Sequence, residues 1–308
     1  MIFLIFVDGL GLGEKDPEKN PCAGKGIRHL AHFDPENASD ISINVPVLIP
    51  TDAALGVDGL PQSATGQATL LSGINCAKVL GRHLQGFPNQ QLRDLLKEQS
   101  LLREIRGRGF RPVFINAYRP PFFSLPEEIQ WKLSVTTIVT LAAGLPFFGL
   151  EDLREERSIY HDLTNASLIR RGFEVPLFSV EKAAKILADA SENYDFILYE
   201  YFMTDKAGHS QDMAWAYGEI LKLERFIDTL LSLVDLNKNT VILTSDHGNV
   251  EDLSVKTHTR NRVMTLVWGQ GHDQLRHHIQ SITDIAPAVL RILETYESNR
   301  HQKANPAV

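Results

Sequence analysis

The sequence predicts an α/β protein with a doubly wound, mostly parallel sheet and helices on both faces. Short apolar runs rich in β-branched and aromatic residues predict buried strands at residues 2–7, 112–116, 196–202, 240–244 and 263–268. Helical patterns lie between or after these runs, around residues 92–105, 180–191, 215–234 and 284–293. This alternation is typical of a doubly wound sheet, which binds its ligands at the carboxyl ends of its strands.

The chain has 308 residues, of which 43% are hydrophobic and 22% are charged, as in globular proteins with a substantial core. Its two cysteines, Cys22 and Cys76, are too few for a disulfide scaffold and favour a reducing compartment. No apolar run reaches the roughly 18 residues of a membrane helix, and residues 2–7 lack the basic flank of a signal peptide. The formal net charge of −7 disfavours nucleic acid as a partner. We therefore expect a cytoplasmic protein that binds neither membranes nor nucleic acid.

Residues 118–176 interrupt the alternation of strands and helices. They are rich in proline and aromatic residues at first (YRPPFFSLP) and charged later (EDLREER). We interpret this segment as an insertion or small cap over a core formed by residues 1–117 and 177–308.

Six acidic and imidazole side chains lie at the ends of predicted strands: Asp8, Asp205, His209, Asp246, His247 and His258. Taken singly, an Asp-Gly pair after a strand usually forms a turn, and a loop histidine usually lies at the surface. Because strand ends meet at one edge of a doubly wound sheet, the six side chains together predict a site for divalent cations. Mixed carboxylate and imidazole ligands suit zinc or manganese.

Residues 59–73, GLPQSATGQATLLSG, predict a turn that opens a helix. The free backbone N–H groups and the positive dipole end of such a helix can bind an oxyanion. A serine there is a candidate nucleophile if a metal stabilises its alkoxide. The alternative is that Ser63 or Thr65 only caps the helix.

Five motifs, in the same order, resemble the alkaline phosphatase superfamily, in particular its branch with cofactor-independent phosphoglycerate mutase and phosphopentomutase. VDGLGLG resembles the first-strand metal motif, SATGQATLLSG the nucleophile segment, and DKAGH, SDHGN and KTHTRN the three later metal motifs. The resemblance implies an alkaline phosphatase-like fold with two divalent cations and a phosphoserine intermediate formed on Ser63. The ligand sets that it implies are Asp205, His209 and His258 for one cation, and Asp8, Asp246, His247 and the Ser63 oxygen for the other.

Two features depart from the pattern of that branch. Gly66 and Gln67 stand where related enzymes often carry asparagine or glycine and then histidine. The chain also lacks the large transferase domain of the phosphoglycerate mutases, and a small cap excludes water less well. We therefore expect hydrolysis of a small phosphomonoester, with a phosphomutase acting on phosphoglycerate or a sugar phosphate as the second interpretation.

Other interpretations are a phosphodiesterase and, less favoured, a non-catalytic metal-stabilised binding protein. A sulfatase is disfavoured because the sequence has no Cys-x-Pro-x-Arg motif. The candidates for contact with a small phosphorylated substrate are Arg82 and His83 in GRHLQG and Arg119 in NAYRPP, since the planar arginine fork suits phosphate oxygens. His161 in YHDLTN is a further candidate. For each of them, the alternative is a solvated surface side chain.

Overall fold

The computed structural model describes residues 1–33 and 43–304. These residues form six strands: β1 (Ile2–Val7), β2 (Val47–Thr51), β3 (Pro112–Phe114), β4 (Phe196–Tyr201), β5 (Thr240–Thr244) and β6 (Val263–Gly269). The strands make one sheet in the order β2-β6-β5-β1-β4-β3. Strands β3, β4, β1 and β5 are parallel to one another, whereas β6 is antiparallel to both β5 and β2. The predicted α/β fold with a mostly parallel sheet is confirmed.

Fourteen α-helices occur in the same residues. The first seven are α1 (Ser63–Ser72), α2 (Cys76–Leu80), α3 (Gln90–Glu98), α4 (Leu101–Gly107), α5 (Pro120–Phe123), α6 (Glu127–Gln130) and α7 (Val135–Ala142). The others are α8 (Leu150–Arg154), α9 (Ala166–Arg170), α10 (Val180–Asp189), α11 (Met203–Ser210), α12 (Met213–Leu233), α13 (His272–Arg276) and α14 (Ile285–Ala304).

Strand β1 is buried along its whole length, in the middle of the sheet. Its odd-numbered side chains from Phe3 to Val7 belong to a core cluster that includes apolar residues of α10 and α12. Its even-numbered side chains from Ile2 to Phe6 belong to a second cluster, with residues of α1, α3, α4, α7 and α14. Because alternate side chains of a strand point to opposite faces, helices cover both faces of the sheet, as predicted.

Strand β2 is an element that the sequence analysis did not predict. It lies at the edge of the sheet and contains Pro50. Proline cannot donate a hydrogen bond to a neighbouring strand, so it argues against a central strand and is tolerated at an edge. The remaining differences among the strands are small: β3 ends at Phe114, β4 ends at Tyr201 and β6 ends at Gly269.

The predicted insertion, residues 118–176, contains α5 to α9. Within it, α7 buries Ile138 and Val139 in the second core cluster, so at least this helix packs as part of the layer that covers the sheet. The division of the chain at residues 117 and 177 stays a prediction. Among the described residues, no helix combines the length and the apolar character needed to cross a bilayer.

Candidate metal centre

The six predicted ligands lie at one edge of the sheet, where the central strands β5, β1 and β4 end. Asp8 directly follows β1, and Asp246 and His247 follow β5. Helix α11, which begins just after β4, carries Asp205 and His209 one turn apart. Because β6 is antiparallel to β5, its beginning lies at the same edge, and His258 comes in the loop before it. The structure brings the six side chains into two groups of three, and within each group the potential ligand atoms lie within 4.8 Å of one another.

The first group consists of Asp205, His209 and His258. The Nε2 atoms of the two histidines are 3.2 Å apart, and each is 3.5 Å from Asp205 Oδ1. The other ring nitrogens contact backbone carbonyls: His209 Nδ1 lies 2.9 Å from Lys256 O, and His258 Nδ1 lies 2.8 Å from Pro61 O. A carbonyl accepts the proton of Nδ1 and leaves Nε2 as the lone-pair atom, which is the tautomer that a metal-binding histidine needs.

The second group consists of Asp8, Asp246 and His247 and is almost wholly buried. His247 Nε2 lies 3.2 Å from Asp8 Oδ1 and 3.5 Å from Asp246 Oδ2. Neither of these two buried oxygens has a hydrogen-bond partner among the described residues. Two buried carboxylates that share so little hydrogen bonding are costly without a cation. Both groups therefore fit divalent metal ions.

The pKa values of these residues reflect the crowding of charge in the metal-free protein. Burial raises the pKa of Asp246 well above its ordinary value, and the nearby Asp8 carboxylate raises it further. Burial alone would lower the pKa of His247, but Asp246 and Asp8 outweigh it and raise the pKa to about 10. Burial opposes ionisation of Asp205, yet its contacts with His258 and His247 lower its pKa to about 2. The raised pKa values of Asp246 and His247 show that the buried, crowded carboxylates favour a nearby positive charge, which a cation can also supply.

The two groups are joined by stacked imidazole rings. The ring centroids of His247 and His258 are 3.7 Å apart, and the ring planes are within 15° of parallel. The two ligand groups are thus neighbours and form one centre.

Ser63 is the first residue of α1, and its side chain reaches this centre. Its Oγ lies 3.0 Å from His247 Nε2. The residue before the helix is Gln62, whose side chain makes no capping hydrogen bond, and the hydroxyl of Thr65 donates to the Gln62 carbonyl instead. The Ser63 hydroxyl is therefore directed at the ligand cluster and does not cap its own helix.

Two glycines allow the segments of the centre to approach closely. A Cβ on Gly66 of α1 would lie 2.7 Å from the backbone oxygen of Asp246. Gly9 has φ +73°, and a Cβ there would lie 3.0 Å from Asp205. The neighbour of Gly66, Gln67, donates a hydrogen bond of 3.2 Å to Asp8 Oδ2. The two residues that departed from the family pattern thus support the ligand group.

Glu251 is a supporting residue that the sequence analysis missed. It is 1% exposed, and its oxygens accept hydrogen bonds from three separate segments. Oε2 accepts from Gly11 N at 2.9 Å and Asn249 N at 2.7 Å, and Oε1 accepts from Asn261 Nδ2 at 3.1 Å and from Thr259 Oγ1. This carboxylate ties together the loops that carry Asp8, His247 and His258. Its only signal in the sequence is its place just after the SDHGN motif.

Asn249 supports the first ligand group and was also missed. Its Nδ2 donates to Asp205 Oδ1 at 2.6 Å and to Asp205 O at 3.1 Å. A hydrogen bond from an amide to a ligating carboxylate fixes the orientation of the carboxylate.

The predicted substrate contacts fall in different places. An open cavity of about 440 Å³ beside the centre is lined by Ser63, His209 and His258 among others, but not by Arg82 or His83. Arg82 is exposed, and His83 Nε2 lies 3.3 Å from Val57 O. Arg119 and His161 line a second cavity, at the ends of β3 and β4.

Comparisons with known proteins show similarity to one family model, to curated relatives and to solved structures. Residues 173–296 match the family model of the Metalloenzyme superfamily. The 2,3-bisphosphoglycerate-independent phosphoglycerate mutase of Wolinella succinogenes is 29% identical over 119 residues, which cover 37% of this chain and 24% of that protein. The enzyme of the same name from Gloeothece citriformis is 25% identical over 154 residues, which cover 45% of this chain and 29% of that protein. The matched region therefore spans less than a third of the length of these curated relatives.

Among solved structures, the alkaline phosphatase from the Antarctic bacterium TAB5 has a TM-score of 0.56 at 14% identity, with 95% of this chain and 98% of that chain covered. The cold-active alkaline phosphatase from Shewanella sp. has a TM-score of 0.53 at 12% identity, with 94% and 99% covered. These solved structures show that the chain has an alkaline phosphatase-like fold, as the sequence analysis predicted, and the family match and the curated relatives support the predicted resemblance. The matched Metalloenzyme superfamily segment contains five of the six candidate ligands, while Asp8 and Ser63 lie outside it and are brought to the centre by β1 and α1.

Proposed function

We propose that this chain is a metal-dependent phosphatase that hydrolyses a small phosphomonoester through a phosphoserine on Ser63. The observation that supports this most directly is the 3.0 Å contact between Ser63 Oγ and His247 Nε2. It puts a hydroxyl against the buried ligand group, where a purely structural metal site would have no use for one. The centre is reached from an open cavity of about 440 Å³.

Two divalent cations, zinc or manganese, would be held by Asp205, His209 and His258 on one side and by Asp8, Asp246, His247 and Ser63 on the other. Bound there, the cations would stabilise the serine alkoxide and the charge on the phosphate oxygens.

The residues of the chain supply the rest of the reaction. Ser63 lies in the first turn of α1, where backbone N–H groups lack intrahelical partners and the helix dipole is positive, so a phosphate group is favoured beside it. Ser63 Oγ attacks phosphorus, the bond from phosphorus to Oγ forms, and the bond to the ester oxygen breaks. The Ser63 hydroxyl gives up its proton to solvent water, and the departing alkoxide takes up a proton from solvent. Water then attacks the phosphoserine and releases inorganic phosphate and the Ser63 hydroxyl.

A phosphomutase is the second candidate, because the curated relatives are named phosphoglycerate mutases. Hydrolysis is the first choice since the open cavity beside Ser63 admits water, whereas transfer requires that water be excluded from the phosphoserine.

The test is an assay of zinc- or manganese-loaded protein on 4-nitrophenyl phosphate and on its bis-ester, with 3-phosphoglycerate followed in parallel by ³¹P NMR. We expect turnover of the monoester that is lost in EDTA and restored by metal. Faster turnover of the bis-ester would favour a phosphodiesterase, and conversion of 3- to 2-phosphoglycerate would favour a mutase. If metal binds but no ester is cleaved, the chain is a non-catalytic metal protein.

A further inference from the structure

A second cavity, of about 160 Å³, lies at the carboxyl ends of β3 and β4 and plays no part in holding the cations. Its lining includes Arg119, Thr136, His161 and Glu200, with Tyr118 and Phe202 as aromatic walls. It combines hydrogen-bonding groups with flat apolar surfaces, as small-molecule sites do.

The cavity is adjacent to the metal centre. Strands β1 and β4 pair Phe6 with Glu200, and Asp8 lies two residues beyond Phe6, so the side chains of Asp8 and Glu200 point to the same face of the sheet from neighbouring strands. Phe202 lies at the start of α11, three residues before Asp205. A molecule whose phosphate lies at the cations can therefore extend its other end toward this cavity.

His161 lines the cavity with its imidazole ring. Its Nδ1 is buried and has no hydrogen-bond partner among the described residues. The ring stacks on Phe202, with centroids 4.1 Å apart and planes at 30°. Burial lowers the pKa of His161 to about 3, and nearby cationic side chains act in the same direction, against Asp162. The imidazole is therefore neutral at physiological pH and suits a hydroxyl group better than an anion.

Glu200 supplies a hydrogen-bond acceptor to the lining of the cavity. Its Oε2 accepts a 2.8 Å hydrogen bond from Thr136 Oγ1, and its backbone is held on both sides by the Asn116 side chain, at 2.9 and 2.7 Å. A carboxyl group in this position accepts hydrogen bonds from hydroxyl groups.

We propose that this cavity binds the alcohol part of the substrate and selects leaving groups that carry several uncharged hydroxyl groups. The inference rests on the proposed function, since it assigns the phosphate to the metal centre. Hydroxyl groups bond to Glu200 and His161, and the C–H faces of the alcohol pack on the aromatic walls. The volume is below the roughly 300–1,000 Å³ of sites for drug-sized ligands, so the occupant is a small polyol.

The test measures binding to metal-loaded Ser63→Ala protein by calorimetry, so that turnover does not interfere. The ligands are inorganic phosphate, ribose 5-phosphate, glucose 6-phosphate and 3-phosphoglycerate. We expect at least one sugar phosphate to bind about tenfold more tightly than phosphate, as two added hydrogen bonds allow. Adding His161→Phe, which keeps the stacked ring, or Glu200→Gln should remove most of this advantage and leave the affinity for phosphate unchanged. His277→Phe, at an exposed position outside the cavity, is the matched control and should change neither affinity.

The outcomes separate this inference from the proposed function. The inference is wrong if sugar phosphates bind no more tightly than phosphate, or if both cavity variants keep the higher affinity for sugar phosphates. In either case the proposed phosphatase function is not contradicted. Tighter binding of 3-phosphoglycerate that His161→Phe abolishes would overturn the choice of uncharged leaving groups. If the metal-loaded protein binds neither phosphate nor any of the esters, the proposed function fails and this inference fails with it.

Discussion

His209 and His258 face each other through their Nε2 atoms, 3.2 Å apart, while each Nδ1 contacts a backbone carbonyl. The hydrogen bonds from Nδ1 to these carbonyls fix the orientation of both rings. Two lone pairs directed at one point repel each other unless a proton or a cation lies between them. His209 and His258 are therefore already oriented as two of the three ligands in the group with Asp205.

Substitution of one of these histidines should remove one cation. We expect His209→Ala to bind about one metal ion per chain where the parent binds two, because the ligand group of Asp8, Asp246 and His247 is left intact. Metal content after dialysis, measured by mass spectrometry, checks this. His278→Ala, at an exposed position, is the control. Retention of two tightly bound ions in His209→Ala would show that His209 is not a ligand.

Substitution of the nucleophile should separate binding from chemistry. Ser63→Ala should keep both cations, since each retains three protein ligands, but should lose at least about 10³-fold in kcat on an aryl phosphate. Ser72→Ala, at the other end of the same helix, should keep near-parental activity. Among the described residues, the Ser72 hydroxyl donates to Ala68 O, accepts from Ile74 N and lies 3.9 Å from Cys76 Sγ. Undiminished turnover in Ser63→Ala would reject the phosphoserine.

Glu251→Gln should weaken the metal centre without touching a ligand. Each oxygen of Glu251 accepts two hydrogen bonds, so the amide NH₂ of glutamine must face two donors whichever way it turns. We expect a loss of about 1–3 kcal/mol in the free energy of unfolding and a fall of about 10–100-fold in metal affinity. Urea unfolding and metal titration measure the two effects. Glu98→Gln, at an exposed position, should change neither, and equal effects in both variants would contradict the assigned role.

Two helical glycines give a matched test of close packing at the centre. Gly66→Ala puts a methyl group 2.7 Å from Asp246 O, whereas nothing lies within 4 Å of the corresponding position at Gly218 in α12. Gly66→Ala should cost about 1–3 kcal/mol of stability and displace Asp246, with weaker metal binding. Gly218→Ala should be neutral or should stabilise by up to about 1 kcal/mol, because alanine favours helices. Thermal unfolding with and without metal compares them, and similar behaviour of the two variants would argue against the crowding.

The metal-free protein should lose stability as the pH rises through the range in which Glu200 ionises. Burial raises the pKa of Glu200 from 4.5 to about 7; Asp8 adds to the effect, and the Thr136 hydrogen bond opposes it. Between these two pH values the folded protein holds a proton that the unfolded chain has released, so the free energy of unfolding falls as pH increases. The full loss is about 3 kcal/mol. Glu200→Gln should make this slope shallower in urea unfolding measured from pH 4.5 to 8, and the slope that remains comes from Asp246 and His247, whose pKa values are also raised. An unchanged slope would contradict the raised pKa of Glu200.

The ligands could be predicted from the sequence because each lies just before or just after a strand. The continuous apolar residues of these strands indicate that the strands are buried. Glu251 and Asn249 carried no such signal, since their roles arise only when loops far apart in sequence meet around them. Strand β2 was not predicted because it contains Pro50. Proline argues against a central strand but is tolerated in an edge strand, and the sequence does not show that β2 lies at the edge. Helix α7 has the sequence VTTIVTLA, in which β-branched residues weaken the helical signal, and its packing against the core outweighs that preference.

The position of β1 in the sheet has a consequence for how the chain folds. Ile2 pairs with Phe196 on one side and with Thr240 on the other, so a fully apolar strand finds both of its neighbours only after nearly two hundred further residues. Contacts this distant in sequence slow folding, and an unpaired apolar strand promotes aggregation in the interval. Refolding from denaturant should therefore be slow, and its yield should fall steeply as the protein concentration rises.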